Sequence, residues 1–124
     1  MKMTALYERI SREDRNEGES FSILRQKEYL EAYAAANGFE NCRHYTDDGF
    51  SGRSFERPGW QQMMTDIDSG KIGTVLVKDM SRVGRDYLQT GFYTEIYFKE
   101  KDVRFIAIDS HVDNSCSDSL EFAP

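Results

Sequence analysis

The residues best suited to chemistry are one hydroxyl and four guanidinium groups. Ser11 sits in an Arg9-Ile10-Ser11 triplet, and Arg57, Arg82 and Arg85 stand in two later polar clusters that also hold Asp48, Ser51 and Ser81. A guanidinium stays protonated, offers five N–H donors in a planar fork and pairs phosphate oxygens two at a time. Arginines grouped around a serine therefore suit attack on phosphorus, where they neutralise the non-bridging oxygens as the transition state forms. A serine hydrolase would instead need a histidine base and an oxyanion hole. Neither His44 nor His111 lies in a hydrolase-type motif, and G-x-S-x-G is absent. No glycine–lysine phosphate loop is present, so ATP is not implied.

Each signal is weak by itself. An Arg-x-Ser triplet arises by chance in roughly one chain in three of this length, and a solvated loop explains it as well. Arg82 and Arg85, three residues apart, also read as a solvated helical turn. Arg57 is more pointed: it occupies the N-cap position before Pro58, where Ser, Thr, Asp or Asn is preferred, so a role other than capping is open. Gln26 falls in the Ile23, Leu30, Tyr33 stripe and should point inward. A buried amide needs partners, either as a satisfied group near the rim or as a ligand positioning Ser11 or a phosphate.

The elements that must position these residues follow from periodicity. Strands are expected over Met3–Glu8, Asn41–Thr46, Thr74–Lys78 and Val103–Ile108. Helices are expected over Ser22–Asn37, stopped by Gly38, and from Pro58 onward, where Trp60, Met63, Met64 and Ile67 recur at helical spacing before Gly70. Asp86 is placed to cap a third helix carrying Leu88, Phe92 and Ile96. Strands alternating with helices predict an α/β fold in three layers, with a central, mostly parallel β-sheet flanked by helices. In such sheets the reactive crevice lies beyond the carboxyl ends of the strands. Arg9 and Ser11 follow the first strand, Asp48, Ser51, Gly52 and Arg57 the second, and Ser81, Arg82 and Arg85 the third. Short right-handed crossovers would bring all three clusters to one edge.

Composition narrows the class. A chain of 124 residues with 39% hydrophobic content suits one domain with a modest core. No apolar run approaches the ~20 residues of a membrane span, and Lys2, Glu8 and Arg9 interrupt any signal-peptide core, so a cytoplasmic location is expected. Cys42 and Cys116 have no metal or disulfide spacing, and His44 and His111, in strand-like segments without acidic neighbours at ligand spacing, read as structural. No metal site and no cofactor are expected. The net charge of −6 has the wrong sign for a stand-alone DNA binder. From Asp109 the pattern dissolves into Asp, Ser and Asn, so residues 1–113 read as the domain and 114–124 as a linker toward a missing C-terminal region.

Taken in order, these segments resemble the serine recombinase family of resolvases, invertases and large serine integrases. Tyr7-Glu8-Arg9-Ile10-Ser11 is similar to its Y-x-R-x-S motif, and Ser22-Ile23-Leu24-Arg25-Gln26 to its S-[IL]-x-x-Q helix start. Asp48 to Gly52, followed by Arg57-Pro58-Gly59, resembles D-x-x-S-G…R-[PE]-G, and Lys78 to Asp86 resembles the R-x-x-R-D segment. The Val-Lys-Asp-Met-Ser-Arg form looks closest to large recombinases of clostridial-type mobile elements. The resemblance implies a resolvase-like catalytic domain in which Ser11 attacks a scissile DNA phosphate, giving a 5′-phosphoserine linkage and a free 3′-hydroxyl. Arg9, Arg82 and Arg85 would bind that phosphate, Arg57 would support them, and Gln26, Ser51, Asp48 and Ser81 would complete the site. It implies double-stranded DNA as partner, a homodimer assembling into a synaptic tetramer, and neither metal nor nucleotide. DNA affinity would reside largely in C-terminal domains, which reconciles the acidic charge, and the chain alone is expected to be inactive and to bind DNA weakly. Ser81 departs from the family, many of whose members carry Asp before the arginine pair; Asp79 lies two residues earlier. Two other readings stay open: a non-catalytic α/β module, derived from a recombinase, that docks phosphate-bearing ligands or partner proteins, and a small phosphatase-like or nucleotidyl-transfer enzyme using Ser11 without recombination.

Overall fold

The computed structural model describes residues 2–12 and 22–115 of the chain. The expected Arg12–Glu19 loop lies outside the described residues after Arg12, as does Cys116 and the expected linker beyond Ser115. Five strands form one sheet in the order β2-β1-β3-β4-β5. They are β1 (Met3–Ile10), β2 (Cys42–Asp48), β3 (Ile72–Val77), β4 (Arg104–Ala107) and β5 (Val112–Asp113). The first four are parallel, and β5 pairs antiparallel with β4 through Ala107↔Val112.

Side-chain alternation splits the core into two layers, as a sheet covered on both faces requires. Ala5, Tyr7, Val75, Val77 and Phe105 face one side, where Trp60, Met63 and Ile67 of α2 (Pro58–Asp68) pack on them. Leu6, Leu76 and Ile106 face the other, against Leu30 and Ala34 of α1 (Ile23–Ala36). The three-layer expectation holds, and both helix stops fall where the sequence put them. Gly38 and Gly70 adopt φ of +76° and +77° just past the two helices, a conformation that costs glycine nothing.

Differences appear toward the C-terminal half. A short helix, α3 (Met80–Val83), follows β3 directly and carries part of the arginine pair. The third expected helix is instead three pieces: α4 (Tyr87–Gly91), a π-helical segment (Phe92–Tyr97) and α5 (Phe98–Glu100). Its Leu88, Phe92 and Ile96 stripe faces solvent, at 80%, 46% and 50% exposure. Thr90, Thr94 and Phe98 turn inward in its place. Of the two inward hydroxyls, Thr94 Oγ1 donates to the Thr90 carbonyl at 2.9 Å, while Thr90 Oγ1 is buried without a hydrogen-bond partner among the described residues. Tyr93 and Tyr97 then join Phe55, Trp60 and Phe98 in one aromatic cluster. His111 lies in the turn before β5, with φ +56°, rather than in a strand. Asn114, just past β5, is tied to the sheet by its side chain, which accepts from Phe105 N and donates to the Val103 carbonyl, both at 2.9 Å.

Candidate active site

The C-terminal rim of the sheet is built around the last residues of β1. Pairing between β1 and β3 ends at Leu6↔Leu76, while pairing with β2 continues to Ile10↔Asp48. Residues Tyr7–Ile10 therefore project beyond β3 with one backbone edge unpaired by any strand. Gln26, fully buried on α1, fills that edge. Its Oε1 accepts from Arg9 N at 3.2 Å and its Nε2 donates to the Arg9 carbonyl at 3.1 Å, as a neighbouring strand residue would. The inward amide foreseen in the sequence thus holds the backbone two residues before Ser11.

Arg9 lies within β1 rather than after it, and is 1% exposed. Its Nε donates to the Arg82 carbonyl at 3.1 Å, Nη1 to the Phe50 carbonyl at 2.8 Å, and Nη2 to the Ser81 carbonyl. Burial, followed by the nearby Arg57 charge, pulls its pKa down to about 10, so it stays cationic near neutral pH. Arg57 is equally buried. It donates from Nε to the Ser54 carbonyl at 2.7 Å, from Nη1 to Tyr7 Oη at 2.8 Å and the Arg82 carbonyl at 3.2 Å, and from Nη2 to the Val83 carbonyl. Its guanidinium also stacks near Phe55 and Trp60, 4.6 and 5.3 Å from the ring centroids. Both side chains are thus engaged with the backbone of residues 81–83. Arg82 itself, 6% exposed, donates from Nη1 to the Arg9 carbonyl at 3.0 Å. Arg85 is exposed, and its backbone N donates to the Gly52 carbonyl at 2.8 Å.

Ser11 follows β1 directly and is 4% exposed. The preceding Ile10 carbonyl accepts from Gly49 N at 2.7 Å and Phe50 N at 3.1 Å, which seats the Asp48–Gly52 loop beside the serine. The loops after β1, β2 and β3 therefore converge on one rim. Gly52 leaves room there: a Cβ would come within 2.9 Å of Arg9 Nη2 and 3.1 Å of Arg85 Cγ. Ser51 turns its Oγ to Arg53 N at 3.0 Å, and Asp48 is the exposed last residue of β2. Ser81 Oγ donates to Asp79 Oδ1, the same oxygen that accepts from Ser81 N at 3.0 Å and lies 3.7 Å from Arg82 Nε. Asp79 thus stands where a carboxylate can orient Arg82, despite the serine before it.

Sequence reasoning missed Asp47. This side chain, 1% exposed, accepts from Gly59 N at 2.7 Å and Trp60 N at 2.9 Å, the free donors at the start of α2. It is the cap that Arg57 fails to supply, for Arg57 makes no side-chain capping bond. Asp47 also accepts from Tyr7 Oη at 2.8 Å, closing an Arg57–Tyr7–Asp47 chain. Burial pushes the Tyr7 phenol well above its usual range, so it remains a neutral donor. The poor cap at Arg57 was the available signal; nothing in the spacing pointed to a residue ten positions earlier.

Residues 4–121 match the model of the resolvase N-terminal domain. The chain belongs to that family. The resolvase domain superposes on the N-terminal catalytic domain of TP901-1 integrase with a TM-score of 0.84 and 33% identity, covering 98% of this chain and 88% of that one. A resolvase family site-specific recombinase from Streptococcus pneumoniae gives a TM-score of 0.75 at 30% identity, covering 99% and 88%. A putative DNA recombinase of Bacillus subtilis (strain 168) is 28% identical over 122 residues, which is 98% of this chain but only 23% of that protein's length. Among the described residues no helix of the resolvase domain is long and apolar enough to cross a membrane, and no group of three or more His, Cys, Asp or Glu is placed to hold a metal.

Proposed function

We propose that this resolvase domain is the catalytic domain of a serine site-specific DNA recombinase acting in the cytoplasm on double-stranded DNA. Ser11 Oγ attacks the scissile phosphorus, the bond to the 3′ oxygen breaks, and the freed 3′-hydroxyl takes up a proton while the 5′-phosphate stays on the serine. Reversal by a different 3′-hydroxyl rejoins the strands. The phosphoester energy is kept in the covalent link, so the cycle needs neither nucleotide nor metal. A homodimer assembling into a synaptic tetramer supplies the paired breaks.

The observation that carries this reading is the meeting of Ser11, Arg82, Arg85 and the Arg9 backbone at one sheet rim, within a chain of this family. In this reading Arg82 and Arg85 bind the phosphate, and Arg9 and Arg57, whose side chains donate to the carbonyls of residues 81–83, fix the segment carrying that pair. Asp79 takes the arginine-orienting role on Arg82.

The test is a trapped covalent adduct between the full-length protein and a supercoiled plasmid bearing two sites. Wild type gives an adduct that Ser11→Ala abolishes. Phosphate release from small esters with no adduct, or an adduct that survives Ser11→Ala, refutes the reading.

A further inference from the structure

The face of β1 and β2 toward α1 carries a charged cluster that the chemistry above does not use. Glu8, adjacent to Arg9, is fully buried there. Its Oε1 accepts from Thr46 Oγ1 at 2.7 Å, and its Oε2 lies 2.6 Å from Nδ1 of His44 on β2. The other ring nitrogen of His44, Nε2, lies 2.7 Å from Oε2 of Glu31 on α1. One imidazole therefore bridges a buried carboxylate under the helix and a carboxylate on the helix, 26% of its own surface remaining exposed.

We propose that His44 is a positioning residue: with one proton shared between it and Glu8, it clamps α1 onto β1 and so fixes the Gln26 amide that holds the Arg9 backbone. The link to DNA cleavage rests on the recombinase reading; the clamp itself does not.

The proton count follows from the two contacts. A neutral imidazole has one N–H and can donate to only one carboxylate. Both short contacts close if the ring carries two protons, if Glu8 keeps its own and donates to Nδ1, or if Glu31 does so toward Nε2; Glu31 is 59% exposed and Glu8 fully buried, which favours the first two. Either placement leaves the three groups with one negative charge. Removing that proton sets a buried carboxylate against a ring lone pair, and one side of the clamp opens. Burial pushes the Glu8 carboxyl up, opposed by its bonds to His44 and Thr46 and by the charge of Lys27 on α1. Cys42, also on β2, has its thiol pushed up by burial and then by Glu31.

Gln26 and Glu31 stand on the same helix, and Glu8 and Arg9 are consecutive in β1. Opening at His44 therefore frees α1 within two turns of the amide at Arg9. The effect on stability has a definite sign. A carboxyl raised in the folded state contributes stability that is complete below its unfolded value and lost as pH rises through the folded one. For Glu8 that window opens at 4.5 and extends upward. Asp66, Asp68, Asp109 and Asp113 are all shifted down from 3.8 and act below the window.

Three readouts on wild type, Glu8→Gln, Glu31→Gln and His44→Gln decide the matter. The wild-type melting midpoint should fall as pH rises above 4.5, and Glu8→Gln should flatten that fall. Equal slopes overturn the shared proton. Hydrogen exchange at the Arg9 amide should rise about tenfold in His44→Gln and in Glu31→Gln, the scale of one charge-assisted hydrogen bond. Glu31 is 59% exposed, so that variant keeps its core, and unchanged exchange in it overturns the positioning role. With DNA, His44→Gln should lower the adduct rate about tenfold and remove the wild-type fall at higher pH. An unaltered profile overturns the link to cleavage. Absence of any wild-type adduct refutes the recombinase reading instead, and the melting and exchange results still decide the clamp.

Discussion

Replacing Asp47 with alanine is the substitution that most directly probes how the rim is held. The change removes the acceptor for Gly59 N and Trp60 N and the partner of Tyr7 Oη. Loss of an N-cap costs about 1 kcal/mol. Leaving the buried Tyr7 hydroxyl, already accepting from Arg57, without its carboxylate costs about 2 kcal/mol more. For a chain of this size 1 kcal/mol corresponds to about 4 °C in melting midpoint, so the variant should melt about 12 °C lower. It should still fold, since domains typically have 5–15 kcal/mol in hand, roughly. Circular dichroism against temperature, with urea unfolding as a second measure, reads the change. Asp47→Asn keeps an oxygen for the α2 donors but loses the charge beside Tyr7 and Arg57, and should lose about half as much. A fall of less than about 4 °C for Asp47→Ala would refute the claim that Asp47 both caps α2 and anchors the buried chain.

Gly52→Ala should leave the melting midpoint within a few degrees yet cut adduct formation about tenfold or more, because the added Cβ meets Arg9 Nη2 at 2.9 Å and displaces its grip on Ser81; equal losses in both measurements would argue against a local effect. Arg82→Ala should slow adduct formation by about 10²–10³, the scale of removing one electrostatic donor from a charged transition state, measured by quenched single-turnover cleavage. At the other end of the sheet, Arg104 first, with Ser115 adding to it, holds Asp113 at about 2. A depressed carboxyl contributes stability above its unfolded value that is lost as pH falls through the folded one, here from 3.8 toward 2. The pair is partly solvated, so Asp113→Asn should cost under about 1 kcal/mol at neutral pH and reduce the acid sensitivity of the melting midpoint in that window.

Much of the architecture was legible because burial leaves periodic traces. The run Trp60, Met63, Met64, Ile67 and the apolar strand Ile72–Val77 each mark which face meets the core, and Gly38 and Gly70 mark where helices end. The same logic does not extend to the Leu88, Phe92, Ile96 stripe, which faces solvent. A π-helical segment changes the number of residues per turn, and the inward Thr94 satisfies its hydroxyl on the Thr90 carbonyl, so apolar periodicity no longer reports the buried side. The short β5 escaped notice because two residues carry no period, and its pairing with β4 is fixed by Asn114, outside the strand.

The candidate site divides along the same line. Residue types and order by themselves determined that a serine and three arginines follow successive parallel strands, with Arg9 close to the end of the first, because right-handed crossovers send every such loop to one rim. They also determined that Gln26 faces inward, since its helical position fixes its direction. Only the tertiary structure decided what each side chain does there. Arg9 and Arg57 turn to the carbonyls of residues 81–83, Asp47 reaches across to α2, Asp79 stands beside Arg82, and His44 finds Glu8 and Glu31 from two other elements. Apart from Asp79, three residues before Arg82, those partners are distant in the chain and leave no spacing to read. A buried charge takes whichever donors or acceptors packing brings within about 3 Å, and packing is a property of the assembled layers.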